Sequence, residues 1–341
     1  MMRVACLMMM AGGVAMTGGQ AAGADWPHDT LDGARPVVIA HRGASGILPE
    51  HTLEGYRLAI ELGADFIEPD LVMTRDGHLV ARHDRYLSTT TDVASRSEYA
   101  GRKRASDGRN DWFVEDFTLA EIRTLRAKQP FDGRDNRYDG RFTIPTFAEI
   151  LTLLDEVNAG RETPVGVYPE LKHPAHFIAQ GLDPVPPLRA LLEAHDYRQG
   201  EGRLLIQCFE LETLQRLRAA ADYPLVALIY PLGDDTTTPS LALEKVAGTV
   251  DAVGSSKAFL FGPDGASTDY VRRAHALGLA VHVWTLRDDR TPAGFDGAAS
   301  EYNAIFAQGV DGIFTDFPAS GVRERFLSGP GGKSTAAGPA R

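Results

Sequence analysis

The chain has 341 residues and a formal charge of −11 at pH 7, an acidic balance that argues against nucleic acid or an anionic membrane surface as its main partner, since both reward basic surfaces. Any phosphate it binds must therefore be met by local cations or a metal rather than by long-range attraction. The length suits one large α/β barrel of about 250 residues carrying an insertion.

Residues 1–24 read as an export signal: Arg3 gives a positive start, Val4 to Met16 is apolar, and Ala22-Gly23-Ala24 is a small-residue cleavage site. The apolar run is shorter than the roughly 20 residues of a bilayer span, so an exported, periplasmic or secreted, mature protein with no stable membrane insertion is expected. Cys6 leaves with the signal and Cys208 remains, which excludes an intramolecular disulfide.

Beyond the signal, short apolar runs alternate with amphipathic segments, the pattern of parallel strands joined by helices. Strands are predicted from Val37 to Ala40, Phe66 to Val72, Val165 to Leu171, Leu204 to Cys208, Leu225 to Tyr230, Asp251 to Gly254, Leu279 to Trp284 and Gly312 to Thr315. Helices are predicted from Thr52 to Leu62, Leu119 to Arg126, Phe147 to Val157, Leu188 to Ala194, Leu211 to Ala220, Thr268 to Leu277 and Glu301 to Gln308, with Thr52 and Thr146 as caps. His78 to Arg82 follows the turn signal Asp76-Gly77 and reads as a strand returning over the rim. Residues 86–144 break the alternation with a charged, Gly- and Arg-rich stretch, too long for an ordinary loop of about 4 to 6 residues. They read as an insertion packed over one end of a barrel domain that spans residues 25–326. Residues 327–341, rich in Gly, Pro, Ser and Ala, read as a disordered tail.

In such a barrel the active site lies at the C-terminal ends of the strands. His41 ends the first predicted strand, Glu68 and Asp70 sit late in the second, and Glu170 and Lys172 late in the third. Residues two apart share a face, so these groups converge on one mouth. Three convergent carboxylates repel unless a cation neutralises them, and an all-oxygen donor set suits Ca²⁺ or Mg²⁺. Pro69 and Pro169, each just before an acid, indicate that the hydrogen-bond ladder is ending there. His41 and His83 are the acid/base candidates, while His28, His51, His78, His173, His176, His195, His275 and His282 read mostly as structural or surface residues. Arg42 offers a planar fork for phosphate and Lys172 a point charge. Glu50 either orients Arg42 or His41 or is a plain first-turn helix acid. Trp284 either stacks on substrate or fills the barrel mouth.

His-Arg-Gly at 41–43, Pro-Glu at 49–50, Glu-x-Asp at 68–70, His-Asp at 83–84, Pro-Glu-Leu-Lys at 169–172 and Phe-Thr-Asp at 314–316 resemble the glycerophosphodiester phosphodiesterase family. The longer phrases from His41 to Thr52 and Asp70 to Thr74, with Tyr168-Pro169-Glu170 and Gln207-Cys208-Phe209, look like its bacterial periplasmic branch. The resemblance implies a TIM (β/α)8 barrel with a small insertion after the second strand. It also implies hydrolysis of small glycerophosphodiesters, such as glycerophosphocholine or glycerophosphoethanolamine, to sn-glycerol 3-phosphate and an alcohol. Carried onto this chain, it implies Glu68, Asp70 and Glu170 as ligands of one divalent ion, with Ca²⁺ placed before Mg²⁺, and His41 and His83 as the acid/base pair. Arg42, Glu50, Lys172, Phe209 and Trp284 then line the substrate site. Two alternatives are a phospholipid-directed phosphodiesterase on the same barrel and a non-catalytic binding protein.

Overall fold

The computed structural model describes residues 26–197, 203–233 and 238–330. The expected export segment, with Cys6, lies outside the described residues, as does the tail beyond Pro330.

In chain order the strands are β1 (Val37–His41), β2 (Phe66–Glu68), β3 (Asp70–Met73), β4 (Leu79–Ala81), β5 (Arg104–Ser106), β6 (Arg109–Asp111), β7 (Gly166–Val167), β8 (Glu170–Leu171), β9 (Ile206–Cys208), β10 (Leu225–Ile229), β11 (Ala252–Ser256), β12 (Ala280–Leu286) and β13 (Gly312–Thr315). β1 pairs in parallel with both β13 and β2, and parallel pairing continues through β7 and β8 to β9, β10, β11, β12 and back to β13. With β2 and β3 forming one stave and β7 and β8 another, the sheet closes into an eight-stranded TIM barrel. Every predicted stave is present, its ends moved by a residue or two. β4 returns antiparallel along β3, as Asp76-Gly77 suggests.

The two prolines interrupt the ladder; they do not end it. Proline lacks an N–H but keeps its carbonyl, and Pro69 O accepts from Glu170 N at 2.9 Å while Pro169 O accepts from Gln207 N at 3.0 Å. Pairing resumes with Asp70 opposite Glu170 and Glu170 opposite Gln207. The acids thus arrive side by side on neighbouring staves.

The helices Leu53–Glu61 and Phe147–Asn158 start on the predicted caps. Thr52 accepts from Gly55 N, and Thr146 and Glu149 exchange bonds in a capping box. The helix expected to reach Arg126 spans only Leu119–Ile122, because the chain then turns to bridge Ala127 to Thr91. Among the described residues three α-helices are unexpected: Pro174–Ala179, Leu243–Val246 and Pro318–Ser328. The first and last open on proline, whose missing N–H costs nothing at that position. Pro318–Ser328 carries the chain into the stretch expected to be a disordered tail. Within the insertion, β5 and β6 form an antiparallel hairpin, and Trp112, Phe113 and Phe117 are buried beneath it. Gln129 Nε2 donates to Ser45 O at 3.1 Å, which ties the insertion to the loop following β1.

One residue from each stave fills the barrel interior: Ile39, Phe66, Tyr168, Leu205, Val226, Ala252, Ala280 and Phe314. His282 lies on the same face of β12 as Ala280, and its Nδ1 meets the Tyr168 hydroxyl at 2.9 Å. Gly312 opposite it has no room for a Cβ, which would sit 2.7 Å from the His282 ring. Burial pushes the His282 imidazole down to about 4, against a weaker opposing pull from Asp311. The unfolded chain, with histidine near pKa ~6.5, binds the proton first as pH falls. This contribution to stability is therefore complete above about pH 6.5 and is lost as pH drops towards 4, on the order of 3 kcal/mol. Urea unfolding of His282→Gln, compared with the wild type at pH 7 and at pH 4.5, should show a smaller acid loss in the variant. An equal loss in both would mean that His282 does not drive the acid sensitivity.

Candidate active site

The backbone after β1 turns sharply: Arg42 (φ 59°) and Gly43 (φ 86°) both adopt left-handed conformations. At Gly43 a Cβ would lie 2.9 Å from the Gly55 carbonyl carbon, so only glycine lets the loop pack on the following helix. The turn aims Arg42 at the acids. Its backbone N donates to Glu68 Oε2 at 2.8 Å and its Nη1 to Glu50 Oε2 at 2.9 Å, while Nε lies 3.2 Å from Asp70 Oδ2. Glu50 is buried and also faces the buried Arg82 at 3.7 Å. Although burial opposes it, Arg42, with His51, Arg82 and His83, pulls the Glu50 carboxyl down to about 2. Glu50 thus orients Arg42, not His41.

Glu68, Asp70 and Glu170 each offer an oxygen, all within 4.8 Å of one another, and all three side chains are buried. Lys172 Nζ is 2.8 Å from Glu170 Oε1 and 3.9 Å from Asp70 Oδ1. Burial, then repulsion from Asp70 and Glu170, holds Glu68 well above the ordinary carboxylate range. Burial also pushes Glu170 up to about 8, with Lys172 opposing and Asp70 adding. Asp70 stays well below its usual value; burial works against this, but Lys172, His51 and Arg42 prevail. Burial first and mutual repulsion second drive two of the three acids towards neutrality, and a divalent cation relieves both costs. Gln207 donates its amide to Glu68 Oε1 at 2.9 Å and leaves its own buried oxygen without a partner, a further hard donor beside the cluster. The residues fit one hard divalent ion.

Both candidate histidines are backed by carboxylates. His41 Nδ1 is 2.7 Å from Asp316 Oδ1, and His83 Nδ1 is 2.9 Å from Asp84 Oδ1. Burial, then Arg42, pushes His41 down to about 4 despite Asp316, and burial with Arg42 and Lys172 also lowers His83. On the far side of Lys172, whose ammonium lies 5.5 Å from the Phe209 ring centre, Phe209 meets Trp284 and Tyr230 edge to face at 6.2 and 5.6 Å. Trp284 Nε1 is anchored on Gly254 O at 2.8 Å. The structure therefore brings together every predicted site residue, Phe209 and Trp284 forming the outer aromatic wall.

It also adds residues that sequence reasoning missed. Asp316 appeared there only within a motif, although its place directly after β13 matches that of His41 at the end of β1. His51, taken as structural or surface, bridges Asp70 Oδ2 at 3.0 Å and the Tyr56 hydroxyl at 2.7 Å. Its neighbour Glu50 was the signal available. Arg82, Arg134 and Arg287 carried none, because their partners come from distant segments.

The family model for the glycerophosphoryl diester phosphodiesterase family matches residues 41–320. A glycerophosphodiester phosphodiesterase of Haemophilus influenzae is 32% identical, with 86% of this chain and 90% of that one covered. One from Arabidopsis thaliana is 35% identical, covering 85% and 86%. Among solved structures, a glycerophosphoryl diester phosphodiesterase from Silicibacter pomeroyi superposes with a TM-score of 0.64 at 27% identity, covering 88% of this chain and 94% of that one. An Oleispira antarctica phosphodiesterase in complex with sn-glycerol-3-phosphate superposes with a TM-score of 0.62 at 22% identity, covering 87% and 99%. The match runs from the last residue of β1 past β13 and takes in both histidines and all three acids, and on that ground this chain belongs to the glycerophosphoryl diester phosphodiesterase family and is a glycerophosphodiester phosphodiesterase.

Proposed function

We propose that the enzyme hydrolyses small soluble glycerophosphodiesters, glycerophosphocholine and glycerophosphoethanolamine among them, to sn-glycerol 3-phosphate and the alcohol. The observation that carries the reading is the buried Glu68–Asp70–Glu170 cluster with Arg42 and Lys172 against it and two carboxylate-backed histidines, one at the end of β1 and one in the loop after β4. The Oleispira relative, solved with sn-glycerol-3-phosphate, supports the product side. The signal-like residues 1–24 support a periplasmic site of action; among the described residues no helix is long and apolar enough to cross a membrane.

Glu68, Asp70 and Glu170 would hold one divalent ion, Ca²⁺ before Mg²⁺, which would supply Lewis-acid polarisation of a phosphoryl oxygen and offset its charge. Arg42, fixed by Glu50, presents its fork to the phosphodiester, and Lys172 adds a second positive charge. Asp316 accepts the Nδ1–H hydrogen bond of His41, which leaves Nε2 for the reaction; Asp84 does the same for His83. One imidazole accepts the proton of the attacking hydroxyl on Nε2, and the other, entering the reaction as imidazolium with both nitrogens protonated, gives its Nε2 proton to the departing alkoxide. Phe209 and Trp284 give the alcohol an apolar wall.

The test is release of sn-glycerol 3-phosphate from glycerophosphocholine by the purified mature chain, before and after chelation, with Ca²⁺ or Mg²⁺ added back. Product should vanish with the chelator and return with Ca²⁺. Activity that survives exhaustive chelation removes the metal role from the three acids, and absence of product under either ion turns the search to phospholipids.

A further inference from the structure

We infer that Arg134, carried by the insertion, is a positioning residue for His41 and acts on it through Asp316. The inference rests on the reading of His41 as an acid/base group. The Asp316 carboxylate is divided between two tasks: Oδ1 takes His41 Nδ1 at 2.7 Å, while Oδ2 accepts from Arg134 Nη2 at 2.7 Å and from Arg287 Nε at 2.9 Å. A carboxylate that met the imidazole alone would be free to swing about its Cβ–Cγ bond. Bonds to the second oxygen fix its plane, and the plane fixes the ring.

Arg134 also holds His41 from the chain side. Its Nη1 donates to Ser45 O at 3.1 Å, and Ser45 Oγ in turn donates to His41 O at 2.8 Å. Gln129 Nε2, from the same segment of the insertion, donates to that Ser45 carbonyl at 3.1 Å. The rest of the fork is anchored on Asp289, with Nε at 2.7 Å and Nη2 at 3.1 Å. The Arg134 side chain is 2% exposed, and its guanidinium carbon lies 4.3 Å from the centre of the Phe131 ring, also within the insertion. Four of the five guanidinium N–H groups are thus bound, two of them to Asp316 and the Ser45 carbonyl, the two groups that hold His41. Lysine, a single point donor, cannot serve Asp316, Asp289 and Ser45 O together. The insertion is therefore part of the device that aims the imidazole.

The experiment compares kcat and KM on glycerophosphocholine for the metal-loaded mature chain and its variants Arg134→Ala, Arg134→Lys, His41→Ala and Arg134→Ala/His41→Ala. Melting temperatures are measured alongside, and free guanidinium is added at sub-denaturing concentration. Arg134→Ala should lose about 10- to 100-fold in kcat, the scale seen when a partner that orients an active-site histidine is removed, with KM held within about twofold. Free guanidinium should restore part of the rate. Added to His41→Ala, the same change should cost less than about twofold, because the group through which it acts is gone. An unchanged kcat in Arg134→Ala, or a loss of equal size in both backgrounds, overturns the inference while leaving His41 in its role. Near-normal turnover in His41→Ala overturns the acid/base reading and the inference with it. Should Arg134→Ala not fold, Arg134→Lys decides. Wild-type kcat there refutes the positioning role, and a loss that disappears in the His41→Ala background supports it.

Discussion

Alanine at His41 or at His83 is expected to lower kcat on glycerophosphocholine by about 10²-fold or more, the scale of a lost general acid or base. The expectation follows from the electrostatics of the pair. Burial and Arg42 push His41 down to about 4, so at neutral pH the ring is uncharged. Asp316, held far below the carboxylate range by His41, Arg287 and Arg134 in spite of its burial, is an anion at any working pH. An anion at 2.7 Å from Nδ1 requires the proton there, which leaves the Nε2 lone pair as the base. Asp316→Asn is therefore the sharper probe. It keeps the shape, but its amide donates to Nδ1 and moves the ring proton to Nε2, so its loss should approach that of His41→Ala. Because both histidines serve one proton exchange, the double alanine variant should fall little below either single one. Stopped assays of kcat on folded variants check each case. Turnover within about threefold of wild type in either single variant takes that residue out of the reaction.

How much of this was legible in the sequence depends on the range of the interaction concerned. The staves are local: a buried parallel strand shows as a short apolar run whatever it pairs with, and all eight were found. The Glu68–Asp70 and Glu170–Lys172 pairs are local too, since a two-residue spacing on a strand sets their common face, and they converge as expected. Pro69 and Pro169 misled because a missing donor was taken for a missing partner, whereas their carbonyls still carry the ladder to Glu170 and Gln207. Asp316 and Arg134 were missed for a different reason. Each finds its meaning through a residue more than a hundred positions away, His41 for the first and Asp316 for the second, and no periodicity records such a pairing. His51 shows the limit of a prior. Most histidines are structural, and this one is buried as such residues are, yet its Nε2 lies against the central acid of the cluster. The hairpin β5–β6 escaped because its strands are short and charged, Arg104–Ser106 and Arg109–Asp111, and show no apolar alternation.

Arg42→Lys is expected to reduce kcat/KM by about 10²- to 10³-fold, close to the loss on removing a principal electrostatic stabiliser, even though the charge is kept. The reason lies in how the guanidinium is divided. Nη1 is bound to Glu50 at 2.9 Å and Nε faces Asp70 at 3.2 Å, so two of the three nitrogens are used by the protein and Nη2 is left for the phosphodiester. Lysine has one nitrogen for both tasks. If that ammonium goes to Glu50, the phosphate loses its donor; if it goes to substrate, Glu50 keeps only Arg82 at 3.7 Å, and a buried carboxylate loses its main counter-charge. Either way the variant pays in rate or in stability, and Arg42→Ala should be within about tenfold of it in kcat/KM. The left-handed backbone at residue 42 is common to all three side chains and drops out of the comparison. Steady-state kinetics on metal-loaded protein, with melting temperatures to follow the Glu50 contribution, separate these cases. A lysine variant that keeps rates within about tenfold of the wild type while alanine does not would show that Arg42 acts as a simple charge. The buried Glu50–Arg42 pair would then serve the fold of the loop rather than the orientation of the phosphate.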